Sequence, residues 1–171
     1  MAIITLNNNS LSSVTTLPNG IVTASALASG VGGKLLQYAE DSDTASIGLS
    51  TTAWVDTNLS IAFTPVSASS RILIFGMVQV YANGAPSYHG HMVYKIQKNG
   101  SDFGETYECY SGYGGTEALF NGMLPYALSE GSGSTTARTY KIQVQNPDTN
   151  SGAHYNQYAG YSMLQIMEIA Y

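Results

Sequence analysis

The chain is short of charge. Only 10% of its 171 residues are Asp, Glu, Lys or Arg, against about 25% in an average soluble domain. That excludes charge-rich disorder and a charged coiled coil. Basic residues are the scarcer sign: six Lys and Arg are scattered along the chain, and the net charge is -5. A groove that tracks phosphates needs clustered basic residues, so nucleic acid is not an expected partner. Cysteine is nearly absent. Cys109 is the single one, so no disulfide can close within the chain, and the residue reads as a small half-buried hydrophobe rather than a nucleophile. No apolar run approaches the ~20 residues of a membrane span, so no membrane partner is expected. A secretory leader needs a basic start and an unbroken apolar stretch. Residues 1–33 hold no Lys or Arg and are interrupted by Asn7, Asn8, Asn9, Pro18 and Gly20. The expected place of synthesis is a cytoplasm.

What is abundant points to β structure. The chain has 13 Tyr and 18 Gly, with Ser, Thr and Asn throughout. Short strands joined by polar turns give this composition. The segment from Arg71 to Tyr81 has the β-branched and aromatic bias of a strand. Side chains alternate between the two faces of a strand. One face carries Ile72, Ile74, Val78 and Val80, the other Leu73, Phe75, Met77, Gln79 and Tyr81. A sheet with one wet side would show clean alternation of apolar and polar residues. Here both faces need cover. The C-terminal segment from Tyr158 to Tyr171 repeats the pattern, with Tyr161, Met163, Met167, Ile169 and Tyr171 on one parity and Leu164, Ile166 and Ala170 on the other. The two segments are expected to lie side by side, with another sheet on one face and neighbouring subunits on the other.

The rest reads as an N-terminal arm followed by a sandwich. Residues 1–33 combine a short apolar patch (Ile3, Ile4, Leu6), the polar stretch Asn7 to Ser13, the turn Leu17-Pro18-Asn19-Gly20 and an Ala/Ser/Gly-rich stretch. Such a segment buries too little to fold alone and is expected to dock on a partner or neighbouring subunit, with Ile3, Ile4, Leu6, Leu11, Val14, Leu17 and Ile21 as its apolar contacts. From residue 34, strands are expected at Leu35 to Ala39, Thr51 to Asp56, Leu59 to Phe63, Arg71 to Tyr81, His89 to Lys98, Phe103 to Tyr110, Ala118 to Leu128, Thr139 to Gln145 and Tyr158 to Tyr171. Glu40 to Asp43 reads as a turn, and Asn146 to Asn156 as a long polar loop. Asn99-Gly100 is a hairpin signal. Pro125 marks an edge or bent strand. Tyr140, Ile142 and Val144 alternate with Lys141, Gln143 and Gln145, as on a strand with one wet face. About eight strands and no useful helix predict an all-β, jelly-roll-like antiparallel β-sandwich over residues 34–171, with an extended arm over 1–33.

Three stretches resemble small, fibre-like virion proteins of phages of marine and aquatic bacteria. They are the opening, from Met1 to Gly20 (Met-Ala-Ile-Ile-Thr-Leu-Asn-Asn-Asn-Ser-Leu-Ser-Ser-Val-Thr-Thr-Leu-Pro-Asn-Gly); Ser50 to Pro65 continuing through Arg71 to Ile74; and Thr-Tyr-Lys-Ile-Gln-Val-Gln at Thr139 to Gln145. The opening is the most specific. The resemblance implies a virion structural role, a jelly-roll head and a homotrimer. It brings no catalytic residues.

The chemistry-bearing residues give a spare picture. His89-Gly90-His91 sets two imidazoles on one strand face, a hint of a metal; two nitrogens per chain are a weak signal, Glu40 to Asp43 does not have the spacing of a calcium loop, and no metal or other cofactor is expected. Glu105 and Glu108 lie close in sequence, but nearby carboxylates alone make no acid–base pair. No Gly-x-Ser-x-Gly elbow appears, and no Gly-rich phosphate cradle. The chain is not expected to be an enzyme. Tyrosines near loops, above all Tyr110, Tyr113 and Tyr155, offer flat faces and hydroxyls that suit sugar rings. The subunit interface is expected to use Leu73, Phe75, Met77, Tyr81, Tyr161, Met163, Met167 and Ile169. The expectation is therefore a trimeric capsid decoration or head-fibre protein, held by its arm to phage capsid or tail proteins in the virion. The alternative is a tail-fibre tip that recognises host surface glycans.

Overall fold

The computed structural model describes residues 34–84, 90–110, 118–148, 152–158 and 160–170, with the backbone alone for residues 83, 84 and 118–124. The expected arm therefore lies outside the described residues, as do His89 and Tyr113. The strands are β1 (Leu35–Asp43), β2 (Ile47–Leu49), β3 (Val55–Phe63), β4 (Arg71–Gly84), β5 (His91–Lys98), β6 (Ser101–Tyr110), β7 (Ala118–Gly131), β8 (Arg138–Gln145), β9 (Gly152–Tyr155) and β10 (Ser162–Ile169). No helix occurs among the described residues, and the paired strands all run antiparallel.

The first sheet is organised around β4. β7 pairs with it along its whole length on one side. On the other side β10 pairs with Arg71–Met77 and β9 with Val80–Asn83. β9 and β10 are thus one row with a break. β1 and β2 form the next row, broken at the same level, β1 against β10 and β2 against β9. The second sheet runs β3-β8-β5-β6. Counted as rows, the first, third, sixth and eighth strands of the chain build one sheet, and the second, fourth, fifth and seventh the other. This is the jelly-roll arrangement expected from the sequence.

The core lies where the two sheets face each other. From the first sheet come Ile72, Ile74, Val78, Val80, Leu164, Ile166 and Tyr155; from the second come Leu59, Met92, Tyr94, Ile96, Tyr140, Ile142 and Val144, all with 0% exposure. β3 and β8 alternate as read from the sequence, one residue in and the next out. The β5–β6 hairpin turns at Asn99 and Gly100, with φ of 52° and 80°, as a type I′ turn requires. Pro125 sits on β7, which pairs only with β4 among the described residues, so its missing N–H costs no ladder bond on the outer side.

Four expectations need correction. Glu40 to Asp43 is not a turn but the second half of β1. Its backbone pairs with β10, and the Asp41 carboxylate accepts from the Ser60 amide at 2.8 Å, so the acidic residues tie β1 to β3. The expected strand from Thr51 to Asp56 is a bend as far as Ala53, and β3 opens at Val55. Trp54 instead lays its ring over the ammonium of Lys95, 4.2 Å away. The polar stretch before Asn156 contains β9. The C-terminal strand starts at Ser162 rather than Tyr158, because Asn156 and Tyr158 take left-handed backbone angles, φ 51° and 55°, and lead the chain out of the ladder.

Candidate functional site

The face of the first sheet that points away from the second is a grid set by register. Ile169 stands between Arg71 and Leu35, Met167 between Leu73 and Tyr38, Gln165 between Phe75 and Glu40, and Met163 between Met77 and Ser42. β7 adds Ser129 beside Leu73, Ala127 beside Phe75 and Pro125 beside Met77. Leu73, Phe75, Met77, Met163, Met167 and Ile169 are each half-buried, while Tyr38, Pro125 and Ala127 are exposed. Tyr161, just ahead of β10, is exposed as well. Ladder neighbours cover the flanks of these side chains, and their outer surfaces stay open. One polar group interrupts the patch: Gln165 donates to the Tyr38 hydroxyl at 2.8 Å and to Glu40 at 3.1 Å. The Tyr38 hydroxyl also donates to Glu40, and that bond holds the Glu40 carboxyl below the usual carboxylate range.

The patch ends at Gln79. From there the detour between β9 and β10 lies over the same face. Its Asn156 amide donates to the Gln79 carbonyl at 3.3 Å, and Gly160 comes so close that an added Cβ would lie 2.4 Å from the Gln79 side-chain oxygen. Tyr81, expected at the subunit interface, is buried beneath this cover. Its ring meets those of His154 and Tyr158 edge-on, at 5.7 and 5.5 Å. Seven of the eight expected interface residues thus remain accessible, and Tyr81 does not.

The expected ligand-contact tyrosines do not converge. Tyr155 is fully buried in the core, where burial raises its hydroxyl pKa; its place on β9, inward-facing, was hidden by the polar residues around it. Tyr110 is exposed and stacks on His91, ring centroids 4.1 Å apart. Its hydroxyl donates to Glu108 at 2.8 Å. His91 Nε2 lies 3.8 Å from that same carboxylate. Burial lowers the His91 pKa although the Glu108 charge works the other way. No group of three metal-ligating side chains occurs among the described residues. Cys109 is buried and its thiol is pushed up to about 11 by burial, which fits a packing role.

One cluster was not visible in the sequence. At one end of the sandwich, where β7 of the first sheet meets β5 and β8 of the second, Glu130 receives hydrogen bonds from Lys98, Arg138 and Tyr140. Burial acts to raise the Glu130 pKa, but these three donors outweigh it and hold the carboxyl low. Arg138 reaches on to the carbonyls of Ser132 at 2.6 Å and Ser134 at 3.3 Å. The Glu130-Gly-Ser-Gly-Ser-Thr-Thr136 run, which reads as a solvated loop, is therefore clamped by a buried guanidinium. A cleft of about 500 Å³ opens beside it, lined by Lys98, Asn99, residues 130–134 and residues 136–138.

No protein-family model matches the chain, and no curated protein matches it. Among solved structures, it is similar to a chain described as "EclA C-terminal domain; sugar-binding protein", with a TM-score of 0.40 and 11% identity over 96% of this chain and 99% of that one.

Proposed function

We propose that this chain is a non-enzymatic structural protein that assembles with copies of itself through the open face of its first sheet, as a homotrimer on a phage particle. The observation that carries the reading is the grid of Leu73, Phe75, Met77, Met163, Met167 and Ile169, half-buried on a face that the protein's own second sheet does not reach. A monomeric soluble protein rarely exposes a contiguous apolar patch beyond a few hundred Å². Strands about 4.8 Å apart with about 3.4 Å per residue give four rows of about seven residues an area of ~450 Å². Two such faces bury ~900 Å², the size of a weak pairwise interface. The choice of three copies follows the resemblance of the opening stretch. Self-association also fits the scarcity of charge on the patch, where Glu40 at its side and Arg71 at its end are the ionised members.

The virion assignment is supported by the resemblance of the opening stretch, and residues 1–33 are the proposed attachment arm to capsid or tail proteins. A decoration protein that binds only the assembled shell shifts the equilibrium towards it. The test is binding of purified protein to particles stripped of it. Full-length protein is expected to rebind, and protein lacking residues 1–33 to stay free while keeping its oligomeric mass. Equal rebinding by both would overturn the role of the arm, and no rebinding by either would overturn the virion assignment.

A further inference from the structure

We propose that Tyr158 is an anchor by which one copy of the chain grips the next. The inference rests on the proposed self-association and adds to it a contact outside the apolar grid. Tyr158 stands beyond the grid, against Tyr81, four residues along β4 from Met77.

The backbone there is strained for a tyrosine. Its φ of 55° lies in the left-handed region, which a bulky side chain rarely adopts and which glycine or asparagine takes far more readily. The fold uses this turn to lead the chain from β9 out over the sheet and back to β10, but a smaller residue would make it with less strain. Within its own subunit the side chain gains little. It is 72% exposed, the most open of the large apolar side chains among the described residues, and its ring meets Tyr81 only edge-on. Strain of this kind persists where the surroundings hold it in place, and it gathers at functional positions.

Those surroundings are firm. The Asn156 backbone amide donates to the Gln79 carbonyl at 3.3 Å, its side-chain amide donates to the Asp43 carbonyl at 2.8 Å, and the Ser162 hydroxyl donates to the Asn156 side-chain oxygen at 2.7 Å. The ring is therefore presented from a pinned platform, so less freedom is lost when a partner covers it. The same bonds engage the polar groups of the detour within the fold, and Gln157 accepts from the Ser46 hydroxyl at 3.2 Å. A saccharide needs polar groups free to orient it. An apolar protein surface needs only the ring. Where the detour returns to β10, Tyr161 is exposed and Met163 begins the grid, so Tyr158 extends the open face.

The area points to a second copy. A pairwise contact of ~900 Å² through the grid alone is weak. A tyrosine side chain buries about 150 Å² or more. The ring and the surface it covers together add ~300 Å², which brings the contact to the ~1,200 Å² at which stable interfaces begin.

The test is sedimentation equilibrium of the full chain over a range of concentrations, with Tyr158→Gly and Tyr158→Asn beside the parent. Both replacements suit the left-handed backbone, so each is expected to fold, with a thermal midpoint in dilute solution close to the parent's. Each is expected to weaken self-association by about tenfold or more. A parent that assembles, with both variants assembling as tightly, would overturn the anchor and leave the open-face reading standing. A parent that stays a single chain at every concentration would overturn both. If a soluble oligosaccharide then shifted the Tyr158 backbone amide in an NMR titration, the ring would serve a glycan instead.

Discussion

Met77 and Met163 stand directly opposite each other on β4 and β10, on the face of the first sheet that the second does not cover. One residue further along, Gly76 and Leu164 oppose each other on the inner face. The same two strands thus turn one apolar set into the core and another outward. Their substitutions should separate accordingly. Ile166→Lys would place a charge among fully buried residues and should abolish folding, since an unpaired buried charge costs more than the whole stability of most domains. Met167→Lys, its sequence neighbour on the open face, should change the stability of a single subunit by only about 0.5 kcal/mol. Urea unfolding of the two variants, followed by circular dichroism at low protein concentration, checks this.

Glu168 is 0% exposed, and among the described residues it forms no ion pair. It accepts from the amides of Val66 and Ser67, from the Ser70 hydroxyl and from Gln37. Burial acts to raise its pKa, but the hydrogen bonds prevail and the folded-state value lies below the usual one. A depressed carboxyl pKa means that the folded state binds a proton less readily than the unfolded state. Its stabilisation is complete above the ordinary Glu value of about 4.3 and is lost as pH falls through the folded-state value. Glu168→Gln turns an amide donor towards groups that already donate, and should cost about 2–4 kcal/mol at neutral pH. The urea midpoints of variant and parent should converge as pH falls below about 4.

Gly76 marks the closest approach in the first sheet. A Cβ there would lie 2.1 Å from the Met163 carbonyl oxygen and 2.6 Å from the Tyr126 hydroxyl, which itself donates to that carbonyl at 2.9 Å. Gly76→Ala should cost about 3 kcal/mol or more. Tyr126→Phe removes one of the two obstructing atoms, so the double variant should lose less than the sum of the single losses. A thermal-denaturation cycle of the four proteins would show additivity instead if Gly76 were replaceable without touching Tyr126.

Much of this fold is legible where one strand carries its own signal. β3 and β8 alternate cleanly, Asn99-Gly100 supplies the positive φ angles of its turn, and the two-sided apolar character of β4 and β10 marks them as neighbours. Legibility fails where a long-range partner decides. Glu40 to Asp43 looks like a turn because nothing local shows that β10 pairs with it. Tyr81 follows the parity of the open face, yet the detour after Asn156 covers it. Tyr155 looks exposed among polar neighbours, and Glu130 looks solvated until Lys98, Arg138 and Tyr140 are brought to it from other strands.

The proposed closure of the open face by copies of the same chain is open to sedimentation equilibrium of the full chain at micromolar concentration, run beside a Phe75→Lys/Met167→Lys variant that charges the middle of the face. The expected masses are three times the 18.1 kDa chain mass for the parent and a single folded chain for the variant. A parent that sediments as one chain, or a variant that keeps the parent's assembled mass, would contradict that closure.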